Sequence, residues 1–113
     1  MRYTKYHEWV DLQGTIATIG LCPYARDEIG EIVNAVLPPE GARIEAGASI
    51  GAIESNKSAL ELYAPLSGKI ESVTKNFHEL KWLYKMAVSD IAEYDALLTK
   101  EQYEKGMQGG GEV

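Results

Sequence analysis

A lysine at the tip of a predicted hairpin is the residue most suited to chemistry in this chain. The stretch "ESNKSALE" runs from Glu54 to Glu61, between two segments with strand character, and places Asn56 directly before Lys57. Hairpin turns that need positive φ usually take Asn-Gly or Asp-Gly, because glycine has no Cβ to clash. A lysine there holds its amine clear of the domain, which suits covalent modification by another enzyme. The alternative is an ordinary solvated turn lysine, since exposed lysines are common in turns.

The composition excludes several classes of function. The 113 residues fit one domain, and 11 Lys and Arg against 17 Asp and Glu give a formal net charge of −6. Without a basic cluster, neither nucleic acid nor a membrane is expected as a partner. The single cysteine, Cys22, excludes an internal disulfide and a zinc site with paired thiolates. The sequence starts without a signal-peptide or transit-peptide pattern, which predicts a cytoplasmic protein.

The elements that must position the lysine are predicted to be short strands separated by Gly and Pro. Leu60, Leu62 and Ala64 alternate with more polar neighbours, which is the period of a half-buried strand. Pro23 and Gly30 fit the first position and the C-terminal end of a short helix over 23–29. The segments with strand character are 6–12, 15–21, 31–37, 48–55, 58–64, 69–73 and 82–88.

The C-terminal part has a helical pattern. Ser89 is a candidate cap for the first helical segment, and Thr99 and Gln102 have the spacing of a capping box for a second one. The Gly-rich end predicts a disordered tail over 106–113, so that residues 1–105 form the single domain.

Four stretches carry a resemblance to a known family. "ESNKSALELYAPLSGKI" resembles the lipoyl-lysine hairpin of the glycine cleavage system H protein. "YTKYHEWV", "YARDEIGEIVNAVLP" and the "SD" ahead of the C-terminal helix are similar to stretches of that family in the same order. The resemblance extends from Tyr3 to Leu98, and four ordered matches are far more specific than one.

The resemblance implies a mostly β fold. We expect a barrel-sandwich hybrid of the lipoyl/biotinyl hammerhead type, with two small antiparallel sheets, a short helix near 23–29 and a C-terminal helical segment. Gly41 and Gly68 lie near the two ends of the lipoyl-type core, where such domains use glycine to bend tightly.

The resemblance also implies a carrier rather than an enzyme. Lys57 would carry lipoate in amide linkage, and no residue of the chain would be catalytic. The implied partners are a pyridoxal-phosphate glycine decarboxylase, a tetrahydrofolate-dependent aminomethyltransferase, a flavin-dependent dihydrolipoyl dehydrogenase, and a lipoate ligase or lipoyl/octanoyl transferase. A carrier that visits several active sites gains from weak contacts, so we expect a monomer.

The same resemblance implies roles for residues beside Lys57. Glu54, Asn56 and Ser58 would be recognised by the lipoylating enzyme, with Glu54 as the main carboxylate. The simpler interpretation of Glu54 is a solvated charge at the end of a strand.

Two further carboxylates match acidic positions of the family. Glu8, in "HEW", and Glu61 would hold the cationic amine of a loaded arm by a charge-assisted hydrogen bond. The simpler interpretation is that both are outward-facing strand residues that keep an edge soluble. His7 and His78 are too isolated to predict a metal site.

One departure from the family keeps alternatives open. The connection over 74–81, "TKNFHELK", is much shorter than H proteins usually have, and the family's loop lies near the cleft that receives the loaded arm. A divergent lipoyl protein that relays lipoate, or a redox-linked carrier outside glycine cleavage, therefore stays open. A biotin carrier is disfavoured because its usual tip is Met-Lys-Met. A structural protein with an unmodified Lys57 is the remaining alternative.

Overall fold

Alternating apolar residues between Gly and Pro punctuation produce a mostly β protein. The computed structural model describes residues 1–76, 78–79 and 81–108, except for the side chains of 107 and 108. The strands in this part are β1 (Arg2–Tyr3), β2 (Glu8–Gln13), β3 (Ile16–Leu21), β4 (Ile32–Val36), β5 (Arg43–Ile44), β6 (Ser49–Ser55), β7 (Ala59–Tyr63), β8 (Gly68–Val73) and β9 (Tyr84–Val88). The helices are α1 (Pro23–Ile29), α2 (Ile91–Asp95) and α3 (Lys100–Gln108).

The strands form two antiparallel sheets. The larger sheet has the order β1-β2-β3-β9-β8-β5, and the smaller one has the order β4-β6-β7. Glu54 of β6 pairs with Ala59 of β7, so Lys57 lies in the turn of this hairpin. The two-sheet architecture confirms the predicted fold class.

Both sheets contribute to one hydrophobic core. The predicted alternation in β7 is confirmed, since Leu62 is buried and Glu61 is exposed. Burial of a large aliphatic side chain stabilises a fold by about 1.5–3 kcal/mol. The most completely buried apolar side chains include Val10, Ile19, Ile53, Leu66, Ile70 and Met86. The hairpin that carries Lys57 is therefore anchored through its inward face.

Local signals set the ends of the first two helices. Pro23 begins α1, and Gly30 ends it with a φ of 76°, as predicted. The prediction of Ser89 as the cap of α2 is wrong. Asp90 takes that position, and its carboxylate accepts the Ala92 N–H at 3.0 Å. The physical reason is that the helix begins at Ile91, so that the residue directly before it, Asp90, makes the cap.

The predicted capping box before α3 is confirmed. Thr99 Oγ1 accepts the Gln102 N–H at 3.2 Å, and Gln102 Oε1 accepts the Thr99 N–H at 2.9 Å. Helix α3 continues through Gln108, so 106–108 are helical and do not belong to a disordered tail. Residues 109–113 lie outside the described part of the chain.

Gly41 and Gly68 both occupy positions that require glycine. Gly41 has a φ of 87°, and its N–H bonds to the Ile70 carbonyl at 2.8 Å. At Gly68 an added Cβ would overlap the Ala87 carbonyl oxygen of the neighbouring strand β9. Glycine thus permits a sharp bend at one position and a close strand contact at the other.

Candidate functional site

The turn that presents Lys57 is organised by the hydroxyl of Ser55. Ser55 Oγ accepts the N–H groups of Lys57 at 3.1 Å and of Ser58 at 3.0 Å, and it donates to the Ser58 carbonyl at 3.1 Å. The Ser55 N–H also bonds to that carbonyl at 2.9 Å. Sequence analysis did not identify Ser55 as a site residue. The sequence feature that could have indicated it is a serine two residues before the lysine, which is the spacing of a serine turn.

The turn does not need glycine. Neither Asn56 nor Lys57 has a positive φ, so the steric reason for Asn-Gly does not apply here. The N–H of Asn56 bonds to the Glu31 carbonyl at 3.1 Å, which fastens the tip to the start of β4. The Lys57 methylenes pass over Gly30, where an added Cβ would lie 3.3 Å from Lys57 Cε. The lysine itself is exposed.

The three predicted recognition residues lie together at this tip. Glu54, Asn56 and Ser58 are all exposed, on the end of β6 and in the turn. Ser58 also borders a cleft of about 320 Å³, here named the tip cleft. The tip cleft is lined by Tyr6, His7, Tyr24, Ala25, Glu28, Ile29, Ser58, Ala59 and Leu60.

Glu8 is not an outward-facing residue, contrary to the simpler interpretation of the sequence. Its exposed fraction is 1%. Glu8 begins β2, and the backbone from Thr4 to Glu8 forms a tight turn in which the Thr4 N–H bonds to the Glu8 carbonyl at 2.9 Å. This turn includes His7, which has a φ of 65°. In β2 the Glu8 side chain lies on the same face as the buried Val10, so its burial follows the alternation of the strand. The charge of the residue concealed that signal in the sequence.

The hydroxyl of Thr4 determines how the Glu8 carboxyl is bonded. Thr4 Oγ1 accepts the N–H groups of Tyr6 and Glu8, both at 3.2 Å. Its proton is then directed to Glu8 Oε1, also at 3.2 Å. Glu8 Oε2 is buried without a hydrogen-bond partner among the described residues. Burial raises the pKa of Glu8 from 4.5 to about 8, and the Thr4 hydrogen bond opposes this only in part.

Glu8 lines a second cleft, which adjoins the first. This Glu8 cleft measures about 330 Å³, and its walls are mostly apolar. Tyr6 lines both clefts. The Glu8 cleft is lined by Tyr3, Thr4, Lys5, Tyr6, Glu8, Tyr63, Ala64, Pro65, Ala96, Leu97 and Leu98.

Glu61 lies outside the Glu8 cleft but contacts its wall. The Glu61 side chain is exposed, and its Oε2 accepts the Tyr63 hydroxyl at 3.4 Å. Tyr63 lines the cleft that holds Glu8. The structure therefore separates the two predicted carboxylates, with Glu8 in the cleft and Glu61 at its outer edge.

An aromatic cluster beside Glu8 attaches the C-terminal helix. The His7 Nδ1 and the Tyr103 hydroxyl are 2.8 Å apart, and the His7 ring stacks on Tyr24 at 4.5 Å. Tyr103 also stacks on Tyr3 at 4.9 Å. Burial lowers the pKa of His7, which favours the neutral ring beside a phenol donor. His7 is thus a structural residue, in line with its interpretation from sequence.

The short connection before β9 lies on another side of the tip. Among its described residues, His78 lines a cleft of about 580 Å³ together with Gly30 and Glu31. No described residue of 74–81 lines the Glu8 cleft. Among its described residues, the connection therefore borders Gly30 and Glu31, through His78, and does not border the Glu8 cleft.

Neither a membrane-spanning helix nor a cluster of metal ligands occurs in the described part of the chain. No helix there is long and apolar enough to cross a membrane. No group of three or more His, Cys, Asp and Glu residues within it could hold a metal ion.

Comparison with known proteins gives one consistent family. The family model of the glycine cleavage H-protein matches residues 1–110. A glycine cleavage system H protein of Anoxybacillus flavithermus (strain DSM 21510 / WK1) is 39% identical over 116 residues, covering 93% of this chain and 91% of that protein. Another glycine cleavage system H protein, from Geobacillus kaustophilus (strain HTA426), is 39% identical over 121 residues. The match covers 97% of this chain and 95% of that protein.

A solved structure agrees with these relatives. The crystal structure of a glycine cleavage system H protein from Mycobacterium marinum matches with a TM-score of 0.79 and 30% identity, over 96% of this chain and 94% of that one. The sequence relatives and the structural match thus indicate the same family over nearly the whole length of the chain. The chain belongs to the glycine cleavage H-protein family.

Proposed function

We propose that this chain is the lipoyl carrier of a glycine cleavage system and that Lys57 bears the lipoate. As a member of the H-protein family, the chain is a non-catalytic carrier component. The observation that carries the assignment to Lys57 is the turn, in which Ser55 fixes the backbone and leaves the lysine amine exposed. A fixed backbone gives the attached arm a defined origin.

The residues around Lys57 fit such an arm. When bound, lipoate supplies a dithiolane whose sulfurs accept and release the carried group. The stem of Lys57 already lies over Gly30 rather than in the core. Ser58 lines the tip cleft, and Tyr6 lines both the tip cleft and the Glu8 cleft, which together offer a surface for a long flexible chain.

Glu8 is the proposed receptor for the amine of an aminomethyl group carried by the arm. Its Oε2 is buried and has no partner among the described residues. With a pKa of about 8, the empty site is mostly neutral at pH 7. A cation in the cleft favours the carboxylate, so arrival of an ammonium would ionise Glu8 and form a charge-assisted hydrogen bond in an apolar setting. Glu61 is proposed to attract the same cation at the outer edge.

Recognition of the unmodified protein is proposed to use the exposed tip. Glu54, Asn56 and Ser58 surround Lys57 and are accessible to a lipoate ligase or a lipoyl/octanoyl transferase. The further partners proposed are a pyridoxal-phosphate glycine decarboxylase, a tetrahydrofolate-dependent aminomethyltransferase and a flavin-dependent dihydrolipoyl dehydrogenase. We propose a cytoplasmic monomer that meets each of them transiently.

Intact mass and peptide analysis test the attachment. The chain and its Lys57→Arg variant are incubated with lipoate, ATP and a lipoate ligase, and Lys69→Arg serves as the control. The wild type and the control should gain one lipoyl group, and Lys57→Arg none. Lipoylation of Lys57→Arg would refute the attachment site.

The carrier role is tested separately on the lipoylated protein. Incubation with glycine and a glycine decarboxylase should add an aminomethyl group to the arm, detectable by mass. A lipoylated protein that a decarboxylase active on a known carrier fails to load would contradict the role in glycine cleavage.

A further inference from the structure

Two buried polar atoms of this protein lack partners, and they belong to neighbouring groups. Within the described residues, Glu8 Oε2 and the Tyr84 hydroxyl are the buried side-chain oxygens or nitrogens without a hydrogen bond. Both side chains are almost fully buried, with exposed fractions of 1% and 0%. Both lie on the same buried face of the larger sheet, where Glu8 pairs with Leu21 of β3 and Tyr84 pairs with Ile19 of the same strand. The Glu8 carboxyl also contributes, after burial, to raising the pKa of Tyr84.

Such a pair is costly in a protein that binds nothing. A buried hydroxyl without a partner costs on the order of 1–3 kcal/mol. Phenylalanine would fill the same space in β9 without that penalty. The phenol of Tyr84 therefore gains no hydrogen bond from the described residues of the unloaded protein, which points to a partner in another state of the site.

The bonding of Thr4 identifies which state that is. Because Thr4 Oγ1 directs its only proton to Glu8 Oε1, the proton of the neutral acid resides on Oε2. Loss of that proton turns Oε2 from a donor into an acceptor. A neighbouring phenol can then donate to it, because hydrogen bonds to the charged form stabilise a carboxylate.

We infer that Tyr84 is a positioning residue of the arm site, whose hydroxyl donates to the Glu8 carboxylate when a cationic amine enters the Glu8 cleft. This inference rests on the proposed function. The ammonium enters, the Oε2 proton leaves to solvent, and the net charge inside the cleft stays at zero. An oxidised or reduced arm without an amine brings no cation into the cleft. Its docking is therefore not strengthened by the hydrogen bond between Tyr84 and the Glu8 carboxylate. Tyr84 thereby helps the site select the loaded arm.

Among the described residues around Glu8, no other group takes the place of the phenol. From the turn before β2, Thr4 already bonds to Oε1, and Lys5 is exposed. Cys22 interacts electrostatically with Glu8 from the end of β3, and burial raises the pKa of its thiol. Tyr3 and Tyr63 line the cleft from β1 and β7. Below pH 8 docking should release a proton, so its affinity should rise by up to about tenfold per pH unit towards pH 8.

The experiment follows the Glu8 carboxyl directly. Protein with carbon-13 at the glutamate carboxyls is titrated by NMR from pH 5 to 9, with the Lys57 arm lipoylated and either unloaded or loaded by glycine and a decarboxylase. Loading should increase the acid dissociation constant of Glu8 at least tenfold. In Tyr84→Phe the loaded arm should occupy the cleft about fivefold less, whereas Tyr94→Phe should match the wild type.

The unloaded protein gives an independent outcome. Removing a donor for the carboxylate should lower the acid dissociation constant of Glu8 about threefold in Tyr84→Phe, without loss of stability to urea. An unchanged constant would overturn the inference even if the arm could not be loaded. Failure of loading itself would instead refute the proposed function. Loading that leaves Glu8 protonated would refute both the inference and the proposed role of Glu8. Loading that ionises Glu8 equally in Tyr84→Phe and the wild type would refute the inference alone.

Discussion

The rings of Tyr6 and Tyr63 stack with their centroids 4.6 Å apart, beside the boundary of the two clefts. Tyr6 borders both clefts, and Tyr63 borders only the one that contains Glu8. Both residues of the stacked pair therefore line the Glu8 cleft, where the proposed arm on Lys57 would contact them. Their rings offer apolar contact to the arm without a charge of their own.

Removal of the Tyr6 ring should weaken docking of the loaded arm. We expect Tyr6→Ala to reduce the docked fraction about threefold to tenfold, because an aromatic contact contributes about 0.5–1.5 kcal/mol. Tyr6→Phe keeps the ring and should behave like the wild type. The chemical shift of the Glu8 carboxyl reports docking. Equal docking in Tyr6→Ala and the wild type would show that the arm takes another path.

Glu8 should make stability decline between weakly acidic and weakly basic pH. The folded state keeps the Glu8 proton up to about pH 8, whereas the unfolded chain loses it near pH 4.5. The folded state thus binds more protons in this window, and the free energy of unfolding falls as pH rises. Glu8→Gln should match the wild type at pH 4 and exceed it by on the order of 3 kcal/mol at pH 7.

Urea unfolding of the two proteins across this pH range checks the prediction. Glu71→Gln changes an exposed carboxylate and should give no such difference. A stability difference between Glu8→Gln and the wild type that does not grow with pH would contradict the buried neutral acid.

The hydroxyl of Ser55 should matter both for stability and for lipoylation. Ser55→Ala removes the acceptor for two turn N–H groups, and each lost hydrogen bond costs about 0.5–1.5 kcal/mol. A looser turn should also lower kcat/KM for the lipoylating enzyme. Ser55→Thr keeps a hydroxyl, and Ser72→Ala controls for loss of a serine elsewhere. Rates of mass gain and urea midpoints are measured together. A normal lipoylation rate in Ser55→Ala would mean that the enzyme does not require the fixed turn.

The capping box of α3 should support attachment of that helix. Thr99→Ala should destabilise the protein by about 1 kcal/mol, since it leaves the Gln102 N–H without its acceptor. Thr99→Ser should retain most of the stability. Because α3 carries Tyr103, the His7 ring resonances should shift in Thr99→Ala when monitored by NMR. Identical unfolding curves for Thr99→Ala and the wild type would show that packing alone holds the helix.

Much of the fold could be predicted because its signals are local. The period of β7 depends on neighbours two residues apart, and the ends of α1 depend on Pro23 and Gly30 themselves. The position of Lys57 in a hairpin turn could be predicted because its neighbours along the chain are also its neighbours in space. The same holds for the capping box before α3. The incorrect prediction of Ser89 as a cap was wrong by one residue, because Ser89 and Asp90 are adjacent and both are of a type that caps helices.

The environment of Glu8 could not be predicted from such signals. The residue lies two positions before the buried Val10 in β2, which favours the inner face, but a carboxylate at the start of a strand is typical of an exposed position. Its electrostatic surroundings depend on Cys22 and Tyr84, far along the chain. The contact between His7 and Tyr103 joins residues 96 positions apart. A contact between residues so far apart leaves no periodic pattern in the sequence.

The hydrogen bonds that shape the Lys57 turn close within residues 55–58, and one backbone bond, from the Asn56 N–H to the Glu31 carbonyl, fastens the tip to β4. The turn is therefore a nearly self-contained module. Transplanted onto another antiparallel hairpin of equal register, the four residues should keep their shape, but they would lose the bond that orients them. A protein engineer could thus treat the local geometry of the attachment point as portable and its direction as a property of the host.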